Sequence, residues 1–307
     1  MDRSALLRSF RVAVRLRVAV CTNRPAGRVR ACLAALAPQV PEGDLAVVGS
    51  ALPAAELERL RRSAAATVLV EPRPGLSRAR NRALEWAGDD DIVLAFVDDD
   101  TLPDEGWREA LLRGWEEAPP EVACIGGPIR PRFETAPPPW FSDGIAHVLT
   151  LLDRGPQVRD LDPHTDAVYG ANISFRAGPL RRIGGFDPGL GHAPGRVFFG
   201  EEDEAQRALA RLGLRVRYVP DAAVEHVVGP NRLTRRSFLA RRFAFGRALG
   251  ARGGRPRTVA ARQALGTAAG ALAATASANP ALAMERAVRS SENLGVLYAS
   301  IRPRRIA

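Results

Sequence analysis

The most constraining feature of this sequence is an apolar run that stops at three consecutive carboxylates. Residues 92–97, which read IVLAFV, are followed at once by Asp98, Asp99 and Asp100. A continuous apolar run rich in branched and aromatic residues is typical of a strand buried on both faces of a parallel sheet. Open α/β sheets bind their ligands at the carboxyl ends of such strands. The run therefore predicts an α/β fold with a site at its acidic end.

The three carboxylates have two interpretations. Because successive side chains of an extended segment point to opposite sides, Asp98 and Asp100 are expected to face one way and Asp99 the other. Adjacent carboxylates repel one another, and such hard oxygen donors suit Mg²⁺ or Mn²⁺, which bind one or two carboxylates together with substrate phosphates. The alternative is a solvated acidic turn ahead of a helix that begins near Pro103. The triplet alone does not decide between them.

Strands alternate with helices through the first half of the chain. Strands are predicted at 16–21, 45–48, 67–70, 92–97 and 122–125, and helices at 25–36, 54–63, 77–86 and 104–117. Ser77 is the expected N-cap of the third helix. The alternation is typical of βαβ units and predicts a parallel sheet flanked by helices. No GxGxxG or Walker loop follows any of these strands.

The second half of the chain is less regular. A Pro-rich loop spans residues 131–163, and a loop of this length in a compact domain is more often functional than idle. Strands are expected again at 167–176 and 214–219. Between them a helix enters through residues 198–204 and ends near Leu212, and its first-turn carboxylates suit the helix dipole.

Arginine supplies all of the basic charge. The chain of 307 residues has 44 basic and 34 acidic residues, for a formal charge of +10, and it contains no lysine. This excess favours a phosphate-bearing substrate, an anionic membrane surface or nucleic acid as a partner. Three scattered cysteines, Cys21, Cys32 and Cys124, fit buried thiols in a reducing cytoplasm. The N-terminus has no uninterrupted apolar core, so it is not expected to be a secretory signal.

The C-terminal region is predicted to be helical from Thr234 onward. Residues 235–249 mix arginine with aromatic residues and leucine, a pattern that suits either an anionic membrane surface or packing on the preceding domain. After a loop at 250–254, the Ala-rich stretch 263–284 is too weakly apolar for a membrane span, and a packed helix pair is expected. The predicted organisation is a basic N-terminal extension at 1–15, an α/β domain at 16–230 and a helical region at 231–307.

Six short motifs, taken together and in order, resemble the inverting family 2 glycosyltransferases of GT-A fold. They are CTNRP at 21–25, GLSRARN at 75–81, VDDD at 97–100, GANISFR at 170–176, GGFD at 184–187 and GEED at 200–203. Each motif alone is weak, and their joint order carries the resemblance, which covers about residues 16–226. It implies a Rossmann-like, mixed and mostly parallel central sheet flanked by helices, followed by a C-terminal helical appendage.

The resemblance implies a nucleotide-diphosphate sugar as the donor. Asp98 would meet the nucleotide and the metal, and Asp100 would hold the Mn²⁺ or Mg²⁺ that bridges the diphosphate. Such a cation offsets charge on the departing nucleoside diphosphate. Arg80 resembles a donor-contacting basic residue, since its fork of donors suits phosphate; the alternative is a surface arginine. The remaining candidate donor-binding residues are Thr22, Asn23 and Asn172.

Asp203 matches the general base of the family. An acceptor hydroxyl needs a carboxylate within hydrogen-bond reach to take its proton as it attacks the anomeric carbon. Glu202 would orient the acceptor or support this base. The alternative is that both are only first-turn charges of a helix. His226 resembles a histidine that completes the metal site in some relatives, and a structural histidine is its alternative.

The sequence departs from the family pattern after the first and second strands. Residues 47–50 read VVGS, without the acidic residue that usually precedes Gly-Ser, so the contact expected for a uridine donor is missing. The first motif also lacks a residue between Thr22 and Asn23. Neither departure touches the implied metal or base positions.

The leading hypothesis is a metal-dependent inverting glycosyltransferase at the cytoplasmic side, acting on a glycan, lipid-linked or small-molecule acceptor. Peripheral contact with the inner face of the plasma membrane stays open. A sugar-phosphate nucleotidyltransferase is a second reading, although residues 22–25 are not its Gly-rich phosphate loop. A non-enzymatic Arg-rich protein that binds membrane or nucleic acid is a third. Dispersed arginines and the lack of a recognised motif argue against a nucleic-acid partner.

Overall fold

A computed structural model describes residues 14–193, 196–197, 200–251, 257–276 and 278–301. Most of the predicted N-terminal extension, residues 198–199 of the expected helix entry and most of the predicted 250–254 loop lie outside these residues. The chain divides into two compact units. The first comprises residues up to Ile129, Asp153–Asp187 and Glu202–Glu225, and the second comprises Arg130–Leu152, Pro188–Glu201 and the chain from His226 onward.

The strands and helices are named here in chain order. The strands are β1 (Leu16–Thr22), β2 (Leu45–Ser50), β3 (Thr67–Glu71), β4 (Val93–Asp98), β5 (Thr101–Pro103), β6 (Val122–Gly126), β7 (Ile129–Phe133), β8 (Arg159–Leu161), β9 (Asn172–Arg176), β10 (His192–Ala193), β11 (Arg196–Val197), β12 (Arg215–Tyr218) and β13 (Val224–Val228). The helices are α1 (Ala26–Leu36), α2 (Ala54–Ser63), α3 (Leu76–Ala87), α4 (Trp107–Glu116), α5 (Ala177–Arg182), α6 (Glu201–Arg211), α7 (Arg235–Ala251), α8 (Arg257–Ala276) and α9 (Pro280–Ile301). Short 3₁₀ helices lie at Asp143–Leu149 and Pro230–Arg232.

An eight-stranded sheet forms the centre of the first unit, in the order β3-β2-β1-β4-β9-β6-β12-β8. The β1–β2, β1–β4, β2–β3 and β6–β12 pairs are parallel. Strand β9 is antiparallel to both β4 and β6, and β8 is antiparallel to β12. This mixed sheet flanked by helices confirms the predicted fold class.

Strand register brings the polar ends of three strands to one edge of the sheet. Cys21 of β1 pairs with Asp98 of β4, and Val97 pairs with Asn172 at the start of β9. Because β9 runs opposite to β4, its first residue lies beside the last residues of β4. The acidic triplet therefore sits at the edge where a ligand site was expected.

Burial explains why these segments adopt their elements. Every residue of β2 is buried, as are the first five residues of β4, which is the pattern of strands covered on both faces. Helix α1 buries Val29, Cys32, Leu33 and Leu36, a stripe at helical spacing. An edge-to-face cluster of three phenylalanines fills the core between β4 and β9, with ring centroids 5.5–6.4 Å apart; it consists of Phe96, Phe175 and Phe186.

The start of α3 differs from the prediction. The helix begins at Leu76, its N-cap is Gly75, and Ser77 is buried inside the first turn instead of capping it. Gly75 has φ of 140°, a backbone conformation that residues with a Cβ rarely adopt. The chain therefore enters the helix two residues earlier than a cap at Ser77 would place it.

The second unit contains the C-terminal helices together with two earlier segments. Trp140 and Phe141, from the Pro-rich loop, place their rings 5.1 and 6.1 Å from Phe238 of α7. Apolar packing of this loop explains why residues 130–152 group with the helices and not with the predicted 16–230 domain. The predicted helix pair at 263–284 is present with its break between α8 and α9. None of the helices in the described ranges combines the length and apolarity needed to cross a membrane.

Replacing Phe175 tests the core assignment. The side chain is fully buried, so Phe175→Ala is expected to lower the free energy of unfolding by about 3–5 kcal/mol through lost burial and a cavity. Val158→Ala, at a side chain of the same unit that is 54% exposed, should change it by no more than about 0.5 kcal/mol. Urea unfolding followed by fluorescence measures both. An equal loss of unfolding free energy in the two variants would contradict the burial of Phe175 in the core.

Candidate functional site

The acidic triplet lies in a turn at the carboxyl edge of the sheet. Strand β4 ends at Asp98, and Asp99 and Asp100 connect it to β5. The Thr101 hydroxyl donates to the Asp98 carbonyl at 2.8 Å and closes this turn. The side chains of Asp98 and Asp100 are 37% and 17% exposed, whereas that of Asp99 is 9% exposed. The side chains of Asp98 and Asp100 are therefore more accessible to solvent than that of Asp99.

The structure gives Thr22 an internal role. Its hydroxyl donates to Oδ2 of the buried Asp99 at 2.5 Å and accepts the Arg24 amide at 3.0 Å. The residue is only 3% exposed. These two bonds hold the hydroxyl inside the strand end, and the donor contact of Thr22 stays a prediction. Asn23, the next residue, is exposed at the same strand end.

Arg24 is a site residue that sequence reasoning missed. Its Nη1 lies 3.4 Å from Asp99 Oδ1, and its Nη2 lies 3.1 Å from Asp100 Oδ2. Partial burial alone would lower the pKa of Arg24, but these two carboxylates raise it above its ordinary value. A signal was available, since adjacent parallel strands bring the turn after β1 next to the turn after β4.

Arg80 of α3 joins the acidic triplet to the start of α6. Its guanidinium lies 3.8 Å from Asp98 Oδ1 through Nη2 and 3.9 Å from Glu202 Oε2 through Nη1. The rings of Phe96 and Phe186 lie 5.6 and 5.5 Å from it. The side chain is 2% exposed, so the surface-arginine interpretation is wrong. Two carboxylates more than a hundred residues apart in sequence therefore flank one buried cation.

The spacing of the apolar residues along α3 indicates that Arg80 is buried. Arg80 lies three, four and seven residues before Ala83, Leu84 and Ala87, which are all buried. Residues at these intervals share one face of a helix. An arginine within the apolar stripe must therefore be paired inside the protein.

Gly170 provides the space that the buried guanidinium occupies. A Cβ at this position would lie 2.2 Å from Arg80 Nη2 and 3.0 Å from Arg80 Cζ. Only a residue without a side chain fits there while Arg80 keeps its place.

Helix α6 carries Glu202 and Asp203 in its first turn, and both side chains are mostly buried, 18% and 17% exposed. Asp203 Oδ2 lies 4.0 Å from Arg207 Nη2, one turn along the helix. Gln206 fixes the helix, because its side chain accepts the Val168 amide at 3.0 Å and donates to the Val168 carbonyl at 2.9 Å. The two acidic residues are therefore held in place against the segment that precedes β9.

Asn172 is committed to the core and does not face a ligand. Its Oδ1 accepts the Trp107 indole N–H at 3.0 Å, and its Nδ2 donates to the carbonyls of Pro128 at 3.1 Å and Ala222 at 2.7 Å. Both amide protons are used, and the residue is 2% exposed. These three bonds give Asn172 a structural role, and its donor contact stays a prediction.

His226 belongs to the second unit, and its ring is fully engaged there. Its Nδ1 lies 2.8 Å from the Leu149 carbonyl, and its Nε2 lies 2.6 Å from Arg232 Nη1. Arginine can only donate, so Nε2 accepts and Nδ1 carries the proton. The ring is 1% exposed and keeps no lone pair for a metal. These contacts favour the structural interpretation of His226, and its role as a metal ligand stays a prediction.

The remaining carboxylates offer oxygen donors of the kind that Mg²⁺ and Mn²⁺ prefer. In the described part of the chain, no group of three or more His, Cys, Asp or Glu side chains is placed to hold a metal. An ion at Asp98 and Asp100 would complete its coordination with water and phosphate oxygens, as Mg²⁺ usually does.

Burial, with the nearby aspartates, raises the pKa of Cys32 well above its usual range, so this thiol is neutral beside the site.

Gly170→Ala tests the space around Arg80. The added methyl group would displace a buried charge from its partners, and we expect the free energy of unfolding to fall by about 1–3 kcal/mol. Gly27→Ala is the matched control, because a Cβ there meets nothing within 4 Å and alanine favours a helix by up to about 1 kcal/mol. Urea unfolding compares the two. Unchanged stability of Gly170→Ala would contradict the position of Arg80.

Comparison with known proteins gives a family for this chain. The model of the family described as Glycosyl transferase family 2 matches residues 18–183, which is more than half of the chain. A glucosyl-dolichyl phosphate glucuronosyltransferase of Haloferax volcanii is 30% identical over 156 residues, covering 50% of this chain and 47% of that protein. A pre-mycofactocin glycosyltransferase of Mycobacterium tuberculosis is 30% identical over 174 residues, covering 56% of this chain and 33% of that protein. The chain thus spans less than half of the length of either relative.

A solved structure supports the fold. The crystal structure of GalNAc-T7 with UDP, GalNAc and Mn²⁺ superposes with a TM-score of 0.54 at 13% sequence identity, covering 80% of this chain and 51% of that chain. At this identity the likeness concerns the fold alone, and it agrees with the predicted GT-A architecture. The family match includes Arg80 and the acidic triplet and ends before Glu202 and Asp203. By the extent of that match, the chain belongs to glycosyl transferase family 2.

Proposed function

We propose that this protein is an inverting glycosyltransferase that moves a sugar from a nucleotide-diphosphate sugar to an acceptor hydroxyl. The observation that carries the proposal is the pairing of Asp98 and Glu202 on the two sides of the Arg80 guanidinium. This contact joins the acidic triplet, where the donor is expected to bind, to the start of α6, which carries the expected base. Helix α6 lies outside the residues that the family model matches.

The donor diphosphate would bind at the exposed side of the acidic turn. Asp98 and Asp100 would hold a divalent cation, Mn²⁺ or Mg²⁺, through their partly exposed oxygens. Such an ion offsets the charge that develops on the leaving nucleoside diphosphate. Asn23, exposed beside this turn, remains a candidate contact to the donor. The GT-A neighbour solved with UDP and Mn²⁺ supports a divalent ion in this fold.

Asp203 would act as the general base. It takes the proton of the acceptor hydroxyl while that oxygen bonds to the anomeric carbon and the bond from this carbon to the diphosphate oxygen breaks. A single displacement from the opposite side inverts the configuration. Arg207, 4.0 Å away, favours the ionised carboxylate that a base requires.

Glu202 and Arg80 would position these groups. At 3.8 and 3.9 Å these contacts act by charge, so Glu202 would attract the Arg80 guanidinium and the guanidinium would attract Asp98. The expected direct contact between Arg80 and the donor is replaced by this supporting role, because 2% exposure leaves little surface for a phosphate.

The acceptor is proposed to be a cell-envelope or lipid-linked glycan at the cytoplasmic side. The relatives' names include a glucosyl-dolichyl phosphate and a pre-mycofactocin substrate, and the first of these carries its sugar on a lipid phosphate. Val48 of β2 occupies the position of the usual acidic residue before Gly-Ser, and its side chain is fully buried. Recognition of the donor nucleobase would therefore depend on other residues than in a typical uridine-binding site.

Asp203→Asn tests the base. The amide keeps the shape of the side chain but cannot take a proton, so we expect transfer to fall by about 10²–10⁴-fold with little change in donor affinity. Glu204→Gln is the matched control, since Glu204 is the next residue of α6 and pairs with Arg211 at 2.7 Å and Arg207 at 4.0 Å. Transfer is followed as nucleoside diphosphate released in a panel of nucleotide sugars. Wild-type turnover by Asp203→Asn would overturn the base assignment.

Asp100→Asn tests the cation and the reaction class. Loss of one carboxylate ligand is expected to slow transfer on the order of 100-fold and to weaken Mn²⁺ binding, measured separately by calorimetry. Asp91→Asn, at a side chain 65% exposed beside Arg15, should leave both unchanged. If the protein released pyrophosphate from a nucleoside triphosphate and released no nucleoside diphosphate, glycosyl transfer would be rejected in favour of nucleotidyl transfer.

A further inference from the structure

The basic charge of the chain is concentrated in its C-terminal segment. Residues 231–307 contain fifteen of the 44 arginines and two of the 34 acidic residues, so this segment carries +13, while residues 1–230 carry −3. The excess that gives the chain its charge of +10 therefore comes from about a quarter of its length. A field of one sign over one segment indicates an anionic partner for that segment.

The same segment contains an apolar groove. Helices α7, α8 and α9 line a cavity of about 820 Å³, within the size range of ligand pockets. Its lining is dominated by small and aliphatic side chains, among them Leu239, Ala268, Leu272, Met284 and Leu294. Leu272 is 74% exposed and Leu294 is 47% exposed. Apolar side chains left in water around a cavity favour an apolar occupant.

Arg235 connects these two features. It is exposed, it begins α7, and it lines the groove, whereas its neighbour Arg236 is equally exposed but does not. A cation beside an apolar cavity matches a ligand that has an anionic group attached to a hydrocarbon chain.

We propose that this groove binds the hydrocarbon chain of an anionic lipid while Arg235 contacts the lipid phosphate. Other exposed arginines of the segment, among them Arg236, Arg247 and Arg262, then hold the protein at an anionic membrane surface, where each basic residue contributes on the order of 1 kcal/mol. The proposal does not require glycosyl transfer, because it concerns the helices of the second unit alone.

The charge argues against two other occupants. A second copy of this chain would bring two segments of +13 together, which like-charge repulsion opposes. Single-stranded nucleic acid prefers a basic groove with aromatic platforms, and the residues that line this cavity include no aromatic side chain.

The test uses the full chain, without nucleotide sugar, and vesicles of phosphatidylcholine alone or of equal parts phosphatidylcholine and phosphatidylglycerol. We expect co-sedimentation with the anionic vesicles only, weakening with salt. Single-chain lysophosphatidylglycerol, below its micelle concentration, should compete for the groove, whereas glycerol phosphate should not. No binding to anionic vesicles, or competition by both compounds alike, would overturn the proposal.

Two matched pairs separate the groove from general surface charge and apolarity. Leu272→Glu should weaken vesicle binding roughly tenfold or more, whereas Leu265→Glu, on the same helix and also 74% exposed but outside the lining, should weaken it much less. Arg235→Gln should weaken it about fivefold more than Arg236→Gln. If the two variants of either pair lost vesicle binding to the same extent, the binding would be nonspecific adsorption and the groove would not be the lipid site.

Two further measurements on the same variants complete the design. Analytical ultracentrifugation checks for a dimer, and a wild-type dimer that Leu272→Glu dissociates would assign the groove to a second copy and overturn the lipid. Transfer to a water-soluble acceptor is expected to be unchanged in Leu272→Glu. Lipid binding without any transfer would refute the proposed function alone, and transfer without lipid binding would refute this inference alone.

Discussion

The candidate site depends on one buried guanidinium. Burying an unpaired charge is very costly, so Arg80, at 2% exposure, requires its partners in place. Asp98 and Glu202 supply the counter-charge, and the faces of Phe96 and Phe186 supply attractive contacts. The end of β4, helix α3 and the start of α6 must therefore assemble together before the charge is satisfied. The same contacts that stabilise the fold fix the geometry of the site.

Charge balance at the acidic turn leaves room for a cation. Arg24 contacts Asp99 and Asp100, and Arg80 contacts Asp98 and Glu202. These four carboxylates and two guanidiniums leave an excess of negative charge on the side where Asp98 and Asp100 are partly exposed. The divalent ion proposed for this turn would offset that excess, since the carboxylates would otherwise repel a diphosphate. Arg24 and Arg80 hold the turn together through their contacts with the three aspartates.

Local pattern predicted the fold and half of the site. The apolar run before Asp98 and the helical spacing gave the strands, the helices and the sheet edge, because these depend on short intervals. Thr22, Asn172 and His226 share a feature that their local sequence did not indicate. Each makes hydrogen bonds to residues far along the chain, such as Asp99, Trp107 and Leu149, and no local spacing encodes such a partner. Polar residues at strand ends look alike in sequence whether they face a ligand or the core.

Family membership and physical contact support different parts of the site. The family match covers residues 18–183 and so includes the acidic triplet, Arg24 and Arg80. Glu202 and Asp203 lie beyond it, and their place in the site rests on the contact between Glu202 and Arg80 and on the hydrogen bonds of Gln206. Arg80 is therefore the link between the part of the chain that the family model matches and the start of α6. If Asp203 is the base proposed above, this one buried ion pair connects the donor end of the site to the acceptor end.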